Sequence, residues 1–205
     1  MEAETVFIID DDPGVLRSLG RLLRNHDYQV ELFEAAAPFL RAIDAATPGC
    51  VLVDLAMPGL SGLELQEQLR AAGDPHPVVF LSGQGSVQAS VRAMKAGAVD
   101  FIEKPCEEAE LLATVERALE KDRQRRAQQK SVEAITRRLA SLTPRESEVF
   151  RHVIAGRLNK QIAAKLGTAE KTVKVHRARV MQKMSVRSVA ELTRIADSAG
   201  IPPAA

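Results

Sequence analysis

The chain has 205 residues, 45% of them apolar, with a formal net charge of +1 that hides two unlike halves. Residues 1 to 120 carry 9 Lys+Arg against 20 Asp+Glu, and residues 121 to 205 carry 19 against 7, so an acidic module of −11 precedes a basic one of +12. The apolar content is enough to bury real cores, no run approaches the ~20 apolar residues of a membrane span, and a basic half of this size suits a nucleic-acid or other polyanionic partner or else a solvated surface.

From residue 6 to about 120, short β-rich runs alternate with helical patterns. Val6 to Ile9, Gln29 to Phe33, Val51 to Val53, Val78 to Leu81 and Val99 to Ile102 read as strands. Between them Pro13 to Asn25, Ala36 to Ala45, Ser61 to Ala71, Val87 to Ala96 and Glu107 to Glu120 have helical spacing or strong helix formers. Such alternation predicts an α/β doubly wound parallel sheet, and the central runs are apolar at every position, as strands covered on both faces must be. Asp12 followed by Pro13 predicts a helix N-cap.

Beyond Leu119 the run EKDRQRRAQQK is almost free of apolar residues, after which Val132, Ile135, Leu139 and Leu142 recur at helical spacing. Residues 121 to 140 are expected to be an extended helical linker or a flexible tether. From 141 to 205 a compact all-helical domain is expected, with Thr143, Pro144 and Glu146 as its start signal, Gly156 and Gly167 ending its first two helices, and a frayed GIPPAA tail.

Four apolar runs end in polar residues of complementary kind: Asp10 and Asp11, Asp54, Ser82 and Lys104. In an open parallel sheet the strand C-termini share one edge, so these side chains are predicted to meet in one crevice. Clustered carboxylates need a counter-charge, which a hard divalent cation such as Mg²⁺ supplies through oxygen ligands. Asp54 is then a carboxylate nucleophile toward a phosphoryl group, with Ser82 and Lys104 binding its oxygens. Taken singly, the acidic triplet also suits a helix N-terminus, Lys104 a surface position and Ser82 a helix cap. Cys50 and Cys106 fall at opposite edges of such a sheet, too far apart for a disulfide, and no His/Cys cluster has zinc-ligand spacing.

IIDDD, VLVDLAMPGLSG, FLSGQG and MKAGAVDFIEKP, with their spacing, resemble the receiver domain of bacterial two-component response regulators over residues 5 to 120. The resemblance implies a flavodoxin-like sheet of order 2-1-3-4-5, phosphorylation of Asp54 by a sensor histidine kinase, and Mg²⁺ (or Mn²⁺) on Asp10, Asp11, Asp54 and the backbone carbonyl of Ala56. It further implies a switch coupling Ser82 to Phe101 and a cis bond between Lys104 and Pro105. Cys106 stands where the subfamily often has Phe, which bears on the packing of the fifth helix.

LTPRESEVFRHVIAGRLNKQIAAKLGTAEKTVKVHRARVMQKMSVRSVAEL resembles the helix-turn-helix of the LuxR and FixJ type. Val173, Val180 and Met184 are expected to pack on Ile162, Ala163 and Leu166, leaving Lys171, Lys174, Ala178 and Met181 as an outward stripe with Val175 beside it. Lys174 and Val175 match the family's base-reading positions, while Asn159, Lys160, Thr172, His176, Arg177 and Arg179 suit phosphate contacts.

Together the resemblances imply a cytoplasmic DNA-binding response regulator that dimerises on phosphorylation, releases its DNA-binding domain, or both. Its expected partners are the kinase, the major groove of double-stranded DNA, a second copy of the chain and RNA polymerase. An aspartate-nucleophile phosphatase is the competing class, but such enzymes carry a second acid two residues after the nucleophile, where this chain has Ala56. A nucleotide-binding module would need a glycine-rich loop after the first strand, which is lacking.

Overall fold

A computed structural model describes residues 4–83 and 87–204; Gln84 and Gly85 of the FLSGQG motif and the terminal Ala205 lie outside them. The chain divides into two compact units, one ending at Arg126 and the other beginning at Ala127.

In the first unit the strands are β1 (Thr5–Ile9), β2 (Gln29–Phe33), β3 (Gly49–Asp54), β4 (Val78–Ser82) and β5 (Asp100–Glu103). They form one parallel sheet of order β2-β1-β3-β4-β5. The helices are α1 (Pro13–Asn25), α2 (Ala36–Ala42), α3 (Gly62–Ala71), α4 (Val87–Lys95) and α5 (Glu108–Ala140). Alternation along each strand sends residues to two separate cores. Val6, Ile8, Leu52, Leu81 and Ile102 meet Leu16, Leu23, Leu111, Val115 and Leu119 on one face. Phe7, Ile9, Val51, Val53 and Phe80 meet Phe39, Leu65, Leu69 and Ala93 on the other.

Local chemistry sets the helix starts. The side chain of Asp12 accepts from the Gly14 N–H at 2.6 Å, and Ser61 forms a reciprocal capping box with Glu64. Gly62 is required, because a Cβ there would overlap the carbonyl oxygen of Asp54. Helix α2 stops at Ala42, three residues short of the expected end, where Ile43 turns extended. Helix α5 is continuous to Ala140, so residues 121–140 are helical rather than a flexible tether.

At the sheet edge opposite the strand C-termini, half-buried Arg126 and buried Asp122 and His76 fasten α5 and the start of β4 to the segment entering β3. Arg126 donates to the carbonyls of Ala46 at 2.8 Å and Thr47 at 2.5 Å and to Asp122 at 2.5 Å. Asp122 in turn accepts from the Gly49 N–H at 3.1 Å. Buried His76 bridges Asp74 at 2.7 Å and the Thr47 carbonyl at 2.8 Å.

The second unit packs α6 (Pro144–Ile154), α7 (Asn159–Leu166), α8 (Glu170–Lys183) and α9 (Val189–Ser198) around Val149, Phe150, Val153, Ile162, Val173, Val180, Met184 and Leu192. Gly167 turns α7 toward α8 in the left-handed conformation, φ 60°, which glycine adopts without steric cost. Through Ala204 the tail is not frayed: Ile201 packs on this core and the Ala204 N–H donates to the Arg151 carbonyl at 3.1 Å.

Candidate functional site

The strand C-termini bring the predicted residues of the first unit together. Asp10 follows β1, Asp54 ends β3, Ser82 ends β4 and Lys104 follows β5, and the side chains of Asp10, Asp54 and Ser82 are buried. Lys104 Nζ donates to Asp10 Oδ2 and to Asp54 Oδ1, each at 2.5 Å, so the two carboxylate oxygens lie within about 5 Å of one another. The remaining oxygens are oriented by backbone donors: Asp12 N–H to Asp10 Oδ1 at 2.9 Å and Ala56 N–H to Asp54 Oδ2 at 2.7 Å. Burial works against the Lys104 ammonium, but the hydrogen bonds and charges of Asp10 and Asp54 outweigh it and raise its pKa, so the lysine stays cationic.

Asp11 and Ala56 are exposed at the rim of this group, and the Lys104–Pro105 bond is cis. Phe101 is half-buried and stacks on Phe80, its register partner on β4, with ring centroids 6.4 Å apart. Cys106 is half-buried and packs on the α1/α5 core, so the position expected to disturb α5 is accommodated.

No three His, Cys, Asp or Glu side chains among the described residues converge as a ready-made metal cluster. Two buried carboxylates with an exposed third beside them nevertheless fit Mg²⁺, which takes hard oxygen donors, needs only one or two carboxylates and keeps several waters.

In the second unit α8 buries Val173, Val180 and Met184 against Ile162 and Ala163, as its periodicity predicts. Lys171, Thr172, Lys174, Val175, Ala178 and Arg179 are exposed, and Lys160 is exposed on α7. Met181 departs from the predicted stripe: it is half-buried and packs on the core. The exposed Gln182, overlooked in the sequence, lies one helical turn beyond Ala178 on the outward face instead. His176 and Arg177 are half-buried, and Arg177 Nη1 donates to Asn159 Oδ1 at 3.0 Å, joining α8 to α7. The outward face therefore keeps Lys171, Lys174 and Arg179 as cations around the apolar Val175, a pattern suited to phosphates flanking base edges.

Residues 6–116 match the family described as response regulator receiver domain, and residues 140–196 match bacterial regulatory proteins, luxR family. The chain is 41% identical to the response regulator protein TodT of Pseudomonas putida over 95% of its own length and 86% of that protein. It is 41% identical to the transcriptional regulatory protein FixJ of Bradyrhizobium diazoefficiens over 96% of both. Among solved structures, the response regulator StyR superposes with a TM-score of 0.88 at 45% identity, covering 95% of this chain and 98% of that one. Full-length FixJ from B. japonicum superposes with a TM-score of 0.61 at 40% identity, covering 98% of each.

Proposed function

The chain belongs to the two-component transcriptional response regulators that join a receiver domain to a LuxR-type DNA-binding domain, and on that premise we propose that Asp54 is its phosphoryl acceptor. The observation that carries this reading is the shared ammonium: Asp10 and Asp54, from different strands, converge on Lys104 at 2.5 Å each at the sheet edge where ligands of open α/β folds bind.

A carboxylate oxygen of Asp54 forms the new bond to phosphorus as the bond to a histidine nitrogen of the sensor kinase breaks. Asp10, Asp11, Asp54 and the Ala56 carbonyl would hold Mg²⁺, or Mn²⁺ in its place, whose charge offsets that of the phosphoryl oxygens. Lys104 gives up its hydrogen bond to Asp54 for one to a phosphoryl oxygen while Asp10 still anchors it, and the Ser82 hydroxyl takes another oxygen. Movement of Ser82 toward the phosphoryl group opens space into which Phe101 reorients, which biases α4 and β5 between two conformations.

We assign residues 1–120 to the receiver, 121–140 to a linker and 141–205 to the DNA-binding domain. Dimerisation through α4 is favoured by its uncovered apolar residues: Val87, Val91 and Met94, at i, i+4 and i+7, are 78%, 45% and 47% exposed. Two such chains would present two copies of α8 to paired half-sites in the major groove, Lys174 and Val175 reading bases. Release of the DNA-binding domain is a compatible second consequence of phosphorylation, and RNA polymerase is a further partner. We place the protein in the cytoplasm; no helix of the described residues is long and apolar enough to cross a membrane. A regulator is favoured over a phosphatase because Ala56 has no proton to give a leaving group.

The deciding experiment is intact mass after incubation with Mg²⁺ and acetyl phosphate, for wild type and Asp54→Asn. A single phosphoryl adduct absent from the variant is expected; an adduct of equal yield on the variant would overturn the assignment.

A further inference from the structure

Helix α8 turns one line of residues directly away from the core of the DNA-binding unit. At roughly 100° per residue, Lys171, Val175, Ala178 and Gln182 fall within about 60° of one another. Gln182 stands about 180° around the helix from Val173 and about 160° from Val180, and both valines are fully buried. All four residues of the line are exposed. Gln182 therefore points more squarely outward than Lys174, which lies at the edge of the same face.

The last turn of α8 is held firmly. Lys183 Nζ donates to the Ser141 carbonyl at 2.8 Å and to Glu146 Oε2 at 2.6 Å, and the Met184 carbonyl accepts from Arg138 Nη1 at 3.3 Å. The charge of Lys183 is thus spent toward α6, which leaves Gln182 as the outward polar group of that turn. Among the described residues no partner engages its amide. Ala178, one turn earlier, carries only a methyl group, so the helix can lie close to a surface that Val175 and Gln182 both touch.

A side-chain amide sets a donor beside an acceptor, the pair that matches N7 and N6 of adenine in the major groove. Lysine has no acceptor and valine has neither group, so neither Lys174 nor Val175 can make that match. A rise of ~1.5 Å per residue puts Gln182 about 10 Å along α8 from Val175, or about three base-pair steps of ~3.4 Å.

We propose that Gln182 is a specificity-determining residue that selects an A·T pair about three steps from the pair met by Val175. This rests on the reading above that α8 lies in the major groove with Lys174 and Val175 toward the bases.

The test selects a pool of random-sequence duplex DNA on the full chain with Mg²⁺ and beryllofluoride, for wild type, Gln182→Ala and Lys174→Ala, and sequences what is retained. Alanine is the stronger helix former and the side chain removed is exposed, so the variant keeps its fold. Wild type is expected to enrich A·T at a position that Gln182→Ala releases, with preference there falling roughly tenfold and the other positions unchanged. Gln182→Ala that selects the same sequences as wild type, whether bound as tightly or uniformly more weakly, would overturn the proposal, and so would a released position that is G·C in wild type. Lys174→Ala tells this failure from that of the reading beneath it. Relaxed selection in Lys174→Ala alone strikes Gln182 only, whereas unchanged selection in both variants takes this face of α8 off the bases and the proposal with it.

Discussion

Glu146 Oε2 and Lys183 Nζ lie 2.6 Å apart, tying the first turn of α6 to the last turn of α8. The same carboxylate accepts from the Thr143 N–H at 2.9 Å, completing the capping box that starts α6. The hydrogen bond from Lys183, then that from the Thr143 backbone, holds the Glu146 carboxyl down at about 2 from its ordinary 4.5. A carboxyl depressed on folding contributes stability that is fully present above its unfolded value and lost as pH falls through its folded value. The DNA-binding unit should therefore weaken between about pH 4.5 and pH 2. Glu146→Gln should flatten the loss in that window, which acid unfolding followed by circular dichroism measures; an unchanged acid limb would refute the coupling.

Lys104 donates to two carboxylates at once, one positive charge set against two negative ones. Lys104→Ala leaves Asp10 and Asp54 buried together without a counter-charge, an arrangement expected to cost about 3 kcal/mol in metal-free buffer. If the carboxylates hold Mg²⁺, adding the metal should return much of that loss. Urea unfolding of wild type and variant, each with and without Mg²⁺, gives the comparison, and a loss indifferent to the metal would argue against the proposed ligand set.

The uncovered stripe on α4 predicts a separation of functions. Val91→Asp puts a charge in the middle of the apolar face without touching the acceptor crevice. Phosphoryl-adduct formation should be unchanged while the activated species stays monomeric in light scattering. A dimer of undiminished strength would move the association surface elsewhere.

On α8, two cations on the exposed face should behave differently. Lys174→Ala should lose about 1–3 kcal/mol and relax preference at one base position. Arg179→Ala should weaken all sequences alike and reduce the salt slope by about 1. Binding titrations against the operator and scrambled DNA at several salt concentrations distinguish them; equal, sequence-blind losses from both would mean that the reading face has been misplaced.

The acceptor crevice was legible because its chemistry obeys a local rule: apolar strands end where polar groups begin, and parallel strands end together. Asp10, Asp54, Ser82 and Lys104 each announce themselves in this way. Met181 departs from its predicted face because of where it sits on the helix. It lies about 80° around α8 from Val173, between buried and outward faces, and tertiary packing rather than periodicity decides which side it joins. The continuity of α5 was equally hidden, since a polar run of strong helix formers is compatible with both helix and tether until its Arg126 and Asp122 contacts are seen.

That fastening makes the receiver mechanically lopsided. At one rim of the sheet Arg126, Asp122 and His76 rivet α5 and the entry to β3 through several buried and half-buried bonds, while at the other the Lys104 ammonium spans Asp10 and Asp54. Such a body resembles a leaf spring clamped along one side. If Asp54 takes a phosphoryl group as proposed, the contacts disturbed are those of Lys104, at the rim away from the clamp.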